Sequence, residues 1–185
     1  VASKMVLKDS GINTLPYYWC YSDEWLMQSE EILDKIEAQF SYPLIVKPSD
    51  LGSSIGITKV DNRDELEDAI HDAATYSTRL LVEPAITKLK EINCSVMGTN
   101  SEMETSVCEQ PLGADKILTF TDKYKSSGGG KSKGTTKGMS EGMSSLKRKI
   151  PADISKAQEN LIKSMGKATF KAFDSAGLVR IDFMI

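Results

Sequence analysis

Lys47 stands near the end of a β-rich run, Pro43-Leu44-Ile45-Val46-Lys47-Pro48. The polar stretch Ser49-Asp50-Leu51-Gly52-Ser53-Ser54 and a second run, Ile55-Gly56-Ile57-Thr58-Lys59-Val60, follow it. Small residues let backbone N–H groups close on an anion, and lysine adds a compact positive charge, so Lys47 with Gly52, Ser53 and Ser54 fits a phosphate clamp. A Gly/Ser hairpin beside an exposed lysine fits the same residues. Glu83 closes one short run and Glu91 opens another, with Pro84-Ala85-Ile86 after the first. Such a connection can offer backbone donors and acceptors to an adenine edge and a carboxylate to ribose hydroxyls; taken alone, two solvated glutamates are the simpler reading. In the last run, period-two alternation puts Arg180, Asp182 and Met184 on one face and Val179, Ile181, Phe183 and Ile185 on the other. Arg180 and Asp182 then face the same way, about 7 Å apart. A carboxylate there suits Mg²⁺ and a guanidinium suits an anion, while a salt bridge between the two is the alternative.

Those groups need strands and helices to hold them. Met5, Val6 and Ile12 are loosely helical and Gly11 is a suitable stop, which predicts a short helix before the extended Leu15-Pro16-Tyr17-Tyr18-Trp19. Residues 23–40 carry Trp25, Leu26, Ile32, Leu33, Ile36 and Phe40 at mostly helical spacing, predicting a second helix. The two runs flanking Gly52 predict adjacent antiparallel strands. Asn62 with Glu65 resembles a capping box, and Leu66, Ala69, Ile70 and Ala73 follow on one helical face. Residues 80–84 read as a buried strand stopped by Pro84, and 91–97 with 103–109 as a strand pair turned at Gly98-Thr99-Asn100. Pro151 opens a long helix with Ile154, Ala157, Leu161, Met165 and Ala168 on one face and Gly177 at its stop, before a strand over 178–185.

At 185 residues and 40% hydrophobic content, the chain can bury a core as one domain or as two small lobes. It has no run of about 18 apolar residues, and Val1-Ala2-Ser3-Lys4 lacks the layout of a signal peptide, so a soluble, cytoplasmic protein without a membrane partner is expected. Cys20, Cys94 and Cys108 are odd in number and far apart, and His71 is the only imidazole, which argues against zinc or a disulfide framework. His71 and the scattered methionines read as structural or solvated. Of the net charge of −3, residues 125–149 carry seven basic residues against one acid, leaving −9 for the remainder. Six of the 13 glycines fall within residues 126–145, so a mobile loop is expected there. Gly130-Lys131-Ser132 is not a P-loop, because Lys125 stands where the motif needs glycine. No aromatic residue interrupts the basic segment for base stacking, which argues against a nucleic-acid partner.

Taken in order, Val46-Lys47-Pro48, Gly52-Ser53-Ser54-Ile55-Gly56, Val82-Glu83-Pro84-Ala85-Ile86, Glu91, Asp122-Lys123-Tyr124 and Gly177 to Phe183 resemble the D-alanine:D-alanine ligases of the ATP-grasp superfamily. Ser3-Lys4 and Asp9-Ser10-Gly11-Ile12 are similar to the helix that begins that family's central domain. The resemblance implies an α+β ATP-grasp fold, two β-rich lobes with flanking helices around a nucleotide cleft. Residues 1–88 would form the central lobe, and 89–185 the first part of the C-terminal lobe with a mobile loop at 123–149.

It also implies roles. Lys47 would contact ATP phosphates under a loop from Gly52 through Ser53 and Ser54 to Gly56; Glu83 and Ile86 would hold adenine, and Glu91 the ribose. Lys123 would reach the γ-phosphate, Tyr124 and Ser53 would arrange the first amino acid, Arg180 would stabilise the acyl-phosphate and tetrahedral species, and Asp182 would ligate Mg²⁺ or Mn²⁺. The activity implied is ADP-forming ligation of two D-amino acids through an acyl phosphate for peptidoglycan precursors, by a protein whose parent is a homodimer. Because the family completes its metal site beyond the position of Ile185 and has a substrate domain before Val1, the chain is expected to be an internal piece, inactive alone. D-alanine, D-serine and D-lactate stay open as second substrate, and another ATP-grasp carboxylate-amine ligase or a non-catalytic nucleotide-binding module stay open as alternatives.

Overall fold

A computed structural model describes residues 1–52, 55–112 and 148–185. They form two compact units, one over Thr14–Thr87 and one combining Ala2–Asn13 with residues 88–112 and 148–185. The loop expected at 123–149 lies outside the described residues up to position 147.

In the first unit, β1 (Tyr18–Tyr21), β2 (Leu44–Pro48), β3 (Thr58–Val60) and β4 (Arg79–Pro84) make an antiparallel sheet in the order β1-β4-β2-β3. The strands flanking Gly52 pair as the sequence predicts, with Leu44 opposite Val60 and Val46 opposite Thr58. Alternation along β2 sends Leu44 and Val46 to one face and Ile45 and Lys47 to the other. Helices α2 (Ser22–Gln39) and α3 (Arg63–Tyr76) cover the first face with Trp25, Ile32, Leu33, Ile36, Leu66, Ala69, Ile70 and Ala73, packed on Leu44, Val46, Val60, Leu80 and Val82. Each of the larger side chains stabilises the unit by about 1.5–3 kcal/mol on leaving water.

Leu26 breaks the expected pattern. It is 73% exposed, because the buried stripe of α2 runs from Trp25 seven residues on to Ile32 and the backbone leaves helical geometry at Gln28. The start of α3 follows its sequence signal: Asn62 accepts from the Glu65 N–H at 3.0 Å, while the Glu65 carboxylate accepts from Asp61 N–H at 2.8 Å. Arg63, in the first turn of α3, binds Glu30, Asp34 and Glu37 of α2 and fastens the two helices together.

In the second unit, β5 (Glu91–Gly98) lies between β6 (Met103–Thr105) and β9 (Gly177–Met184), all antiparallel. The strand expected over 103–109 ends at Thr105, because the Ser106 hydroxyl takes the Ser95 N–H at 2.9 Å in place of a ladder carbonyl. Pairing resumes as a single bridge between Asn93 and Glu109, after which β7 (Gln110–Pro111) pairs with β8 (Arg148–Lys149). The last helix, α4, spans Lys156–Ala172 and not the range from Pro151. Ser155 caps it, accepting from Gln158 N–H at 3.2 Å while Gln158 accepts from Ser155 N–H at 2.9 Å. It ends at Ala172, well before Gly177, and Asp174 takes a positive φ just beyond.

The buried face of α4 is also not the expected one. Ile162, Gly166 and Phe170 are buried while Leu161 is 60% exposed. Gly166 faces the sheet: a methyl there would lie 3.4 Å from Val96 and 3.9 Å from Ile181 and Phe183. Ile162 packs with Ile92, Cys94, Cys108 and Phe183. The apolar face of β9 therefore meets the helix, as its alternation predicts, and Arg180 and Asp182 point away. Helix α1 (Ala2–Asp9) groups with this unit and buries no residue fully. Among the described residues no helix is long and apolar enough to cross a membrane.

Two outcomes follow from these contacts. Gly56 has φ of +69°, and a Cβ there would sit 2.7 Å from Pro48 Cγ and 3.3 Å from Tyr76. Gly56→Ala is expected to lower unfolding free energy by about 1–3 kcal/mol, measured as a lower urea midpoint. Lys163 and then Lys156 hold the half-buried Glu159 carboxyl down to about 2 from its ordinary 4.5. Because the folded value lies below the unfolded one, this contribution is present above pH 4.5 and is lost as pH falls toward 2. An NMR titration should place the Glu159 midpoint near 2, and Lys163→Met should move it upward.

Candidate functional site

Each unit carries one polar cluster, on the sheet face that its helices leave uncovered. In the first, β2 and β4 pair with Ile45 opposite Glu83 and Lys47 opposite Leu81, so Lys47 and Glu83 are diagonal neighbours on one face. They form an ion pair in which the Glu83 side chain is 5% exposed and that of Lys47 is 28% exposed. A carboxylate so buried costs several kcal/mol unless paired, and the Lys47 ammonium offsets that cost while keeping an open side for further contacts.

Just past β4, Ala85 N–H donates to Pro43 O at 2.9 Å, which pins the half-buried Ile86 segment beside the start of β2. Beyond β2, the Gly52 carbonyl accepts from Ile55 N–H at 3.1 Å and closes a turn. Among the described residues, nothing lies within 4 Å of where a Gly52 side chain would begin. Ser53, Ser54, Lys123 and Tyr124 lie outside the described residues.

In the second unit the register sets Asp182 opposite Asn93, Arg180 opposite Ser95 and Met184 opposite Glu91. Arg180 binds Asp182 as a fork, Nε donating to Oδ1 at 2.8 Å and Nη2 to Oδ2 at 3.2 Å. The salt bridge weighed as the alternative at this pair is thus present. Asp182 raises the Arg180 guanidinium above its ordinary value, and Glu91 and Glu109 add to the effect. Arg148 lies 3.6 Å from Glu109.

Among the sequence-derived candidates, Lys47 and Glu83 are joined in one unit, and Arg180, Asp182 and Glu91 share one face of the other. The residue that sequence reasoning passed over is Asn93. Its side chain is buried, and its amide donates to Glu91 Oε1 at 3.1 Å and Asp182 Oδ1 at 3.0 Å. The available signal was alternation, since Glu91 and Asn93 are two apart on one strand.

Chemically, the first cluster offers an ammonium for phosphate, and a carboxylate near the pinned segment that follows β4. The second offers carboxylate oxygens and a guanidinium. Among the described residues no group of three His, Cys, Asp or Glu could hold a metal ion by itself. One carboxylate is nonetheless a sufficient protein share for Mg²⁺, which is commonly held through one or two carboxylates together with phosphate oxygens and water. Asp182 fits that limited part. The three cysteines are buried free thiols; burial pushes Cys20 up to about 12 and Cys108 up to about 11, the latter helped by Cys94.

These features belong to a recognisable class. The family described as D-ala D-ala ligase C-terminus matches residues 6–185. The D-alanine–D-alanine ligase of Natranaerobius thermophilus is 35% identical over 185 residues, covering 100% of this chain and 46% of that protein. That of Pelodictyon phaeoclathratiforme is 33% identical over 183 residues, with 99% and 46% covered. Among solved structures, the VanG D-Ala:D-Ser ligase from Enterococcus faecalis matches with a TM-score of 0.74 at 28% identity, over 97% of this chain and 46% of that one. The D-alanine–D-alanine ligase from Helicobacter pylori matches with a TM-score of 0.67 at 26% identity, over 99% and 45%. The chain spans about half the length of these relatives. Its α+β architecture is the ATP-grasp fold. Within that class, the chain belongs to the D-alanine–D-alanine ligase family.

The ion pair generates a prediction of its own. Lys47→Met should destabilise the first unit by about 1–3 kcal/mol by removing the ammonium paired with the buried Glu83 carboxylate, and Lys47→Met with Glu83→Leu should recover most of the loss. Chemical denaturation of the three variants, including Glu83→Leu alone, measures the coupling.

Proposed function

We propose that this chain is the ATP-binding part of a ligase that joins two D-amino acids, releasing ADP and phosphate, for peptidoglycan precursor synthesis in the cytoplasm. The observation that carries this reading is family membership across nearly the whole chain, residues 6–185. Lys47 would meet the ATP phosphates with the backbone at Gly52, Ser53 and Ser54, and Glu83 and Ile86 would meet adenine. Glu91 would bind the ribose hydroxyls. Asp182 would be one ligand of the Mg²⁺ or Mn²⁺ that the nucleotide carries, and that ion would neutralise phosphate charge.

Arg180 would stabilise the acyl phosphate and the tetrahedral species formed from it. Lys123 would reach the γ-phosphate, with Tyr124 and Ser53 arranging the first amino acid. Residues 1–88 would serve as the central lobe and 89–185 as the beginning of the C-terminal lobe, in a parent that pairs as a homodimer. Rate enhancement in such a site comes from positioning and charge neutralisation. The likeness to a D-Ala:D-Ser ligase favours D-serine as a second reading for the amine substrate.

Calorimetric titration of ADP with Mg²⁺ tests the nucleotide site. Saturable binding is expected, weakened about tenfold or more by Lys47→Ala and by Glu83→Ala, each of which removes contacts to charged groups. A folded chain that takes no ADP would sink the proposal. In the full-length protein, ADP release with D-alanine alone against D-alanine plus D-serine assigns the second substrate.

A further inference from the structure

Asn93 sits in the central strand β5 with its backbone fixed on both sides. Its N–H donates to Glu109 O at 2.7 Å, its carbonyl accepts from Glu109 N–H at 2.9 Å, and Asp182 faces it across the ladder to β9. The side chain is 6% exposed, so an unused amide N–H there would be costly. Neither is unused: one N–H goes to Glu91 Oε1 at 3.1 Å and the other to Asp182 Oδ1 at 3.0 Å. The opposite amide orientation would set a carbonyl oxygen against two carboxylate oxygens, so the network itself selects this one.

We infer that Asn93 is a positioning residue that binds Glu91 and Asp182 into one unit, so that a nucleotide's ribose and the cation on its phosphates are met at a fixed separation. The inference rests on the reading that Glu91 meets the ribose and Asp182 the cation. Two carboxylates on one sheet face repel, and a neutral group giving one donor to each holds them without adding charge. Lysine would cancel one of the charges, and leucine of similar volume would supply no donor. Asparagine supplies two donors on one rigid planar group whose backbone is locked by the ladder. Arg180 already takes both oxygens of Asp182, so Asn93 sets where that ion pair stands relative to Glu91.

The test titrates ADP, once with Mg²⁺ and once with EDTA, into the full chain and its Asn93→Leu variant, with circular dichroism to verify folding. Should Asn93→Leu fail to fold, Asn93→Ser, too short to span both carboxylates, replaces it. Removing the amide is expected to weaken ADP binding about tenfold with Mg²⁺ and by less than about threefold in EDTA, since only the first condition engages both carboxylates. Unchanged affinity in both conditions, or the same loss in both, overturns the role of Asn93, the latter being what a merely structural residue would give. If the unaltered chain binds no ADP, the proposed function itself fails and the inference falls with it.

Discussion

A β-strand sends alternate side chains to opposite faces, and in each unit the described helices cover only one of them. Everything else about the two sheets follows from that constraint. Leu44, Val46, Leu80 and Val82 go to the helices in the first unit, which leaves Lys47 and Glu83 on the other face. In the second unit Ile92, Cys94, Val96, Ile181 and Phe183 go to the helical side, so Glu91, Asn93, Arg180 and Asp182 are set out on the far side. The polar clusters are the necessary complement of the cores. A register slip of one residue would exchange them.

The two clusters arrange their charges differently. Glu83 is buried against a lysine, which concentrates one positive and one negative charge at a single point. On the second sheet the acids are spread, and neutral and cationic donors are threaded between them: the Asn93 amide, the Arg180 fork and Arg148 beside Glu109. The first arrangement depends on attraction between opposite charges, and the second on hydrogen-bond geometry. They therefore differ in what a substitution does. Loss of Lys47 removes a charge from beside a buried one, whereas loss of Asn93 removes one donor from each of two carboxylates.

Much of the fold was legible in the sequence, because β2, β3, α3 and β9 each carry one unambiguous pattern. Asn62 and Glu65 fix the start of α3, and the Val179-Ile181-Phe183 alternation fixes which way Arg180 and Asp182 point. The final helix misled because it has two apolar stripes. Ile154, Ala157, Leu161, Met165 and Ala168 look more hydrophobic than Ile162, Gly166 and Phe170, yet the second stripe is the one packed against the sheet. Its start was readable in Ser155-Lys156-Ala157-Gln158, a capping box that Pro151 overshadowed. Leu26 lost its place in the core to a departure from helical geometry two residues later, which composition does not encode. At the site, Lys47, Glu83, Glu91, Arg180 and Asp182 could be singled out by residue type, but Asn93 lies between Ile92 and Cys94, and only its alternation with Glu91 hinted at a role before the register set it opposite Asp182.

The fork between Arg180 and Asp182 makes that pair electroneutral. Each group cancels the other, so the pair exerts little pull on a lone ion of either sign. A cation that draws Asp182 away leaves the guanidinium with charge to spend, and an anion that draws Arg180 away leaves a bare carboxylate. Under the proposed function, such a pair would favour a ligand that delivers opposite charges together, as a metal-bound phosphate does.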